Sequence, residues 1–166
     1  MLNRFILFAY LFFTVWITDL SAQNKVPRFE DFSVSGKFKS KPAPVNLRSH
    51  PIARKYRTML RSAVEHGVNF AGHYTVAKWG CGTQCQYVAI IDARNGNVYF
   101  APFNTSYGIS FRLNSRLLIT EPPGELDKVF GEAPNRPVDS VYFKWTGKQL
   151  VLLHPKKPQQ IIDRYP

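Results

Sequence analysis

Acidic residues are scarce in this chain: 11 Asp and Glu stand against 22 Lys and Arg in 166 residues, a net charge of +11. A glycosidase needs two carboxyls at a fixed separation. Here Glu121, Glu125, Asp127, Glu132 and Asp139 fall in or near one proline-rich connection, and no spacing points to such a pair. Cysteine is rarer still, and two are too few for a scaffold built from disulfides. There is no G-x-S-x-G elbow, no Walker loop and no H-E-x-x-H helix. No repeat of about 20–50 residues marks a solenoid or a full propeller. Past residue 17, no apolar run approaches the ~18 residues of a membrane-spanning helix. What is left, 45% apolar and 20% charged, is the composition of a folded domain.

The first stretch is the most telling. A short basic start (Met1-Leu2-Asn3-Arg4) leads into the apolar run 5–17, then a polar break ends in Ser21-Ala22. The run is short of the ~20 residues that cross a bilayer core, and it has no polar face for a surface helix. It matches the apolar region of a secretory signal peptide, so residues 1–22 are expected to be cleaved near Ala22. Removal takes one base (Arg4) and one acid (Asp19), leaving the net charge unchanged. The expected home is the periplasm or the cell exterior, with no transmembrane segment in the mature chain.

Residues 23–50 form a basic, proline-containing arm, expected to be mobile or to add an edge strand; Lys37-Phe38-Lys39-Ser40-Lys41-Pro42-Ala43-Pro44 cannot hold a regular ladder. A single domain is expected over residues 51–166. It opens with a helix capped by Ser49 or His50, with Pro51 in its first turn and Gly67 ending it. Ile52, Tyr56, Met59, Leu60, Ala63 and Val64 recur at three- and four-residue steps and draw one apolar stripe. After residue 70 come short runs rich in Val, Ile, Tyr, Phe and Trp. They predict strands at 74–79, 86–92, 97–100, 116–120, 140–145 and 149–154, with a further edge strand through Ile161 and Ile162. Asn95-Gly96 and Thr146-Gly147 predict hairpin turns. A short helix is expected at 125–130, before Gly131. The fold class is therefore α+β: an antiparallel meander of about six to seven strands in blade-like hairpins, with one principal amphipathic helix packed on it.

The densest chemistry lies in Asn69-Phe70-Ala71-Gly72-His73-Tyr74 and Trp79-Gly80-Cys81-Gly82-Thr83-Gln84-Cys85. On these residues the chain resembles a group of short exported bacterial proteins of unknown function that carry an N-F-A-G-H-Y … W-G-C-G-x-x-C signature. The resemblance brings no activity and no functional residue with it. In an oxidising compartment the spacing of Cys81 and Cys85 points first to a disulfide that fixes a glycine-loosened loop. Two alternatives stand beside it: a zinc site with His73 and His66, short of the usual four-ligand pattern, and a thiol nucleophile assisted by His73. No metal and no other cofactor is expected. His73 and Tyr74, entering a strand, should lie on opposite faces. Asn69, His73, Tyr74 and Trp79 are the candidate recognition patch beside the cysteine loop.

The surplus of bases should attract anions. Arg54, Arg57 and Arg61, with Lys55, lie off the apolar stripe, and the arm's lysines and Arg48 extend the same charge. Export removes the usual nucleic-acid targets, so the expected partner is an anionic envelope component or an acidic protein. The leading reading is a non-enzymatic binding module. A small envelope enzyme using His73 with Cys81, or with an unrecognised acid, is the alternative. An inhibitor or toxin-neutralising protein is a third reading.

Overall fold

β-Branched and aromatic residues crowd two stretches of the chain, and each stretch folds into a sheet of its own. The computed structural model describes residues 26–132 and 135–153. The expected signal peptide and the strand through Ile161 and Ile162 lie outside them. The first sheet has the order β1 (Tyr74–Gly82), β2 (Cys85–Asp92), β3 (Val98–Phe100), and the second the order β4 (Ile109–Phe111), β5 (Leu117–Thr120), β6 (Val141–Trp145), β7 (Leu150–Leu152). Every neighbouring pair is antiparallel. Helix α1 spans Arg57–Glu65 and α2 spans Pro123–Phe130.

The expected single meander is thus two meanders. The break falls at residues 101–108. Pro102 has no N–H to offer a ladder, and the chain then knots around Thr105, whose hydroxyl donates to the Gly108 carbonyl at 2.6 Å. The buried Glu121 carboxylate locks the knot by accepting the backbone N–H groups of Ser106 (2.7 Å) and Tyr107 (2.6 Å).

Period-two alternation explains how the layers stack. In β1 and β2, Val76, Val88 and Ile90 face Leu118, Phe143 and Trp145 of the second sheet. Their neighbours Ala77, Ala89 and Ile91 pack with Leu60 on the other side, where α1 lies. The first sheet is therefore the middle layer, buried on both faces, with small alanines giving the helix room to approach.

Helix α1 starts later than its sequence pattern predicts. Residues 51–56 form successive turns closed by i to i+3 bonds, such as Ala53 N–H to the His50 carbonyl at 3.1 Å. Ser49 does not cap: its hydroxyl donates to the Asn46 carbonyl (2.7 Å) and accepts from the Val98 N–H (2.9 Å). Met59, placed on the apolar stripe by spacing, is 49% exposed. Gly67 ends the helix at φ +82, as expected.

The arm is tied down along its length. Val34 N–H donates to the Asn114 carbonyl, Phe38 to Gly72, Ala43 to Ala93 and Asn46 to Gly96, each at 2.8–2.9 Å. These bonds stitch one extended segment across both sheets. No described helix is long and apolar enough to cross a membrane.

Candidate functional site: a cationic cleft at the seam of two sheets

Asn69–Tyr74 builds the seam. Phe70 and Tyr74 exchange backbone bonds at 3.0 and 2.9 Å, which closes a tight turn. Ala71 and Gly72 enter it at φ +43 and +81. The turn tip plugs into the second sheet through Gly72 N–H to the Leu113 carbonyl at 2.7 Å, and against the arm through Phe38. A Cβ on Gly72 would come 3.0 Å from the Gly36 carbonyl oxygen, so glycine is what lets the arm approach.

Beside this plug opens a cleft of about 460 Å³ whose lining includes Lys37, His73, Tyr74, Arg94, Arg116 and Trp145. It draws on the arm, the 70–74 turn, the β2–β3 turn and both strands β5 and β6 or their ends. The His73 carbonyl accepts from Ala93 N–H at 2.9 Å, which fixes the imidazole near the β2–β3 turn. The His73 and Tyr74 rings lie 4.0 Å apart at 37°. They do not point to opposite faces, because His73 still belongs to the turn and the strand begins at Tyr74.

The charges around the cleft are of one sign, with a single exception. Asp92 Oδ1 stands 4.0 Å from His73 Nε2, but the same carboxylate also accepts the Arg94 N–H (2.9 Å) and the Asn95 amide (3.3 Å). Among the described residues no carboxylate lies within salt-bridge distance of Lys37, Arg94 or Arg116. Burial lowers the His73 pKa; Arg94 and Arg116 push the same way and Asp92 opposes them. Burial raises the Tyr74 pKa, with Asp92 and Tyr99 adding to it while Trp145 and Arg94 oppose. Imidazole and phenol are thus both neutral near pH 7. Trp145 is 1% exposed, and its indole N–H has no hydrogen-bond partner. Its ring stands edge-on to that of Tyr74 with centroids 5.3 Å apart, and its nearness favours the phenolate.

The expected patch at 69–85 divides. His73 and Tyr74 line the cleft, whereas Asn69 is structural: its amide clasps Val76, accepting the N–H at 2.8 Å and donating to the carbonyl at 3.4 Å. Trp79 packs in an aromatic cluster, 5.0 Å from Tyr56, 5.9 Å from Tyr87 and 6.0 Å from Phe100. Cys81 and Cys85 are joined in a disulfide with Cα atoms 5.1 Å apart, clamping the Thr83-Gln84 turn of the β1–β2 hairpin. They lie at the far end of β1, roughly 25 Å from His73 at the rise of a strand. The enzyme reading that joins His73 to Cys81 therefore loses its geometry. His66 caps the C-terminal end of α1, its ring Nδ1 2.8 Å from the Ser62 carbonyl, and the described residues hold no cluster of three or more metal-ligating groups.

The basic residues divide too. Arg54 and Arg57, with Arg48 of the arm, border a second concavity of about 570 Å³; Arg61 is not among its lining residues. Arg94, Arg116 and Trp145 were not singled out by sequence as binding residues. They are distant in the chain, and the only local cue is a base carried in a tight Asp-Ala-Arg-Asn-Gly turn.

Compared with known proteins, the chain matches no family model, no curated protein and no solved structure. What the site can do rests on its own geometry. The cleft offers guanidinium, ammonium, indole and phenol donors, and no Asp or Glu is among its lining residues, which is the chemistry of a receptor for anionic oxygen.

Proposed function

We propose that the chain is an exported, non-enzymatic binding module that receives an anionic group of an envelope component in the His73 cleft. One observation carries this reading: Lys37, Arg94 and Arg116 surround a cleft in which no described carboxylate pairs with them. An anion entering there would supply the missing partner. Arginine forks match carboxylate or phosphate oxygens in pairs, which adds direction to charge. Export is supported by the basic-then-apolar leader and by the pairing of the chain's two cysteines, a pairing that an oxidising compartment sustains.

The test is calorimetric titration of the protein without residues 1–22 with galacturonate and with inorganic phosphate, at low and high ionic strength. Wild type should bind at least one of them. Arg94→Ala with Arg116→Ala should weaken binding by about tenfold or more, the scale of one lost charge-assisted pair. Equal binding by wild type and the double variant would sink the proposal.

A second reading rests on the 4.0 Å approach of His73 and Asp92. A neutral imidazole with a carboxylate behind it is the arrangement of a general base and its orienter. This reading requires turnover of an anionic substrate that His73→Gln abolishes while binding survives.

A further inference from the structure

We infer that the His73 cleft is one end of a longer track, that the Arg48–Arg54–Arg57 concavity is its other end, and that the partner is a linear acidic polysaccharide lying across both. The inference rests on the anion-binding reading of the cleft and adds the second site, the path between them and the polymer.

The path is set by backbone bonds. The arm leaves the cleft where Phe38 N–H donates to Gly72, runs past the β2–β3 turn through Ala43 to Ala93, and reaches the second concavity where Asn46 N–H donates to Gly96. The Asn46 side chain adds a 3.0 Å bond to Asn97. Phe38 and Asn46 are eight residues apart, so the two ends of this path lie within about 28 Å even if the arm is fully extended. Arg94, in the turn between the two concavities, faces the cleft. Lys39 and Lys41, both exposed, stand on the arm between them. From Phe32 to Val64 the chain carries eight Lys and Arg and not one Asp or Glu. The track is therefore cationic from end to end without interruption along the arm.

Two concavities held at a fixed separation suit a ligand that repeats its charge. A monovalent anion would use one of them, whereas a polymer uses both, and its second contact becomes intramolecular. The choice among polyanions follows from the aromatic residues. Proteins that bind single-stranded nucleic acid stack bases on exposed rings. Here the chain from Lys39 to Arg54 carries no Phe, Tyr or Trp, and the second concavity has none in its lining, so beyond the cleft the track has charge without stacking platforms. That favours a chain of acidic sugars, whose carboxylates meet arginine forks and whose rings need no stacking partner.

The experiment titrates galacturonate and oligogalacturonates of increasing length into wild type, Arg94→Ala/Arg116→Ala and Arg54→Ala/Arg57→Ala, all exposed positions. Single-stranded DNA of matched charge serves as competitor. Wild type should bind a long oligomer about a hundredfold more tightly than the monomer. The Arg54/Arg57 variant should keep monomer affinity and lose that length gain; the Arg94/Arg116 variant should lose the monomer as well. Monomer binding without a length gain, or a gain that survives in the Arg54/Arg57 variant, overturns the track and leaves the cleft standing. Absence of any galacturonate or oligomer binding, or binding indifferent to Arg94 and Arg116, overturns the track together with its galacturonate-binding cleft. Displacement by DNA at matched charge overturns the polysaccharide assignment.

Discussion

The two cationic hollows of this protein are built in different ways. The His73 cleft gathers residues from 34–147, across the arm, two turns and both sheets, and half-buries a histidine and buries a tyrosine in the process. The Arg48–Arg54–Arg57 hollow comes from residues 45–57 alone, and its arginines are exposed. One is an assembled site whose donors are aimed by packing; the other is a local accumulation of charge. Perturbing the way the sheets and arm meet should damage the first far more than the second. Salt should weaken anion binding at both, because Lys37, Arg94 and Arg116 are as exposed as the arginines of the second hollow.

Gly96 tests the architecture hardest. It has φ +75, and an added Cβ would collide with the Pro44 carbonyl oxygen at the point where the arm is fastened to the β2–β3 turn. Gly96→Ala should cost about 2–4 kcal/mol in urea unfolding. It should also cost cleft affinity, since Arg94 rides on the same turn. Removing the disulfide with Cys81→Ser and Cys85→Ser closes no hollow, so it should lower stability by about 2 kcal/mol, the chain-entropy value for so short a loop. Galacturonate affinity should stay unchanged in calorimetry. A large loss of affinity would mean that the cysteine hairpin belongs to the site.

Acidification separates the hollows more gently. The folded His73 pKa lies below its ordinary 6.5, so as the pH falls the unfolded chain takes up a proton before the folded protein does. The stability tied to this group is complete above pH 6.5 and declines as the pH drops toward the folded value, levelling off below it. His50, lowered by burial beside Phe100, adds to the same decline. Anion affinity in the cleft should move oppositely, because a bound anion favours the imidazolium. A gain of several-fold, about 1 kcal/mol, is expected on acidification, and His73→Gln should flatten it. The smallest effect should come from Arg61→Ala, which lines neither hollow and should change affinity by less than about twofold.

Much of the scaffold is legible in the sequence. Gly67, Gly96 and Gly131 each take the positive φ that their turn or helix end demands, and the six runs of β-forming residues all become strands. The seventh strand escapes because Ile109-Ser110-Phe111 is too short, between Gly108 and Arg112, for alternation to show. The division into two sheets depends on the Thr105–Glu121 knot, a contact across 16 residues that no local pattern announces. The arm defeats a reading from side chains for another reason. Its attachments are backbone N–H groups, which every residue except proline possesses. The same holds for half of the cleft: His73 and Tyr74 stand in a conspicuous motif, whereas Arg94, Arg116 and Trp145 become a site only once the sheets have docked.

The arm's fastenings bear on how the molecule comes together. Ser115 bonds to the carbonyl of Phe29, and Arg116 N–H to that of Phe32, across more than 80 residues of chain. Contacts so remote in sequence form late, since a long loop must close before they are rewarded. The N-terminal segment emerges first yet waits longest for its partners. The hollow around His73 is then among the last features to take shape, and it would report completed folding more faithfully than either sheet alone.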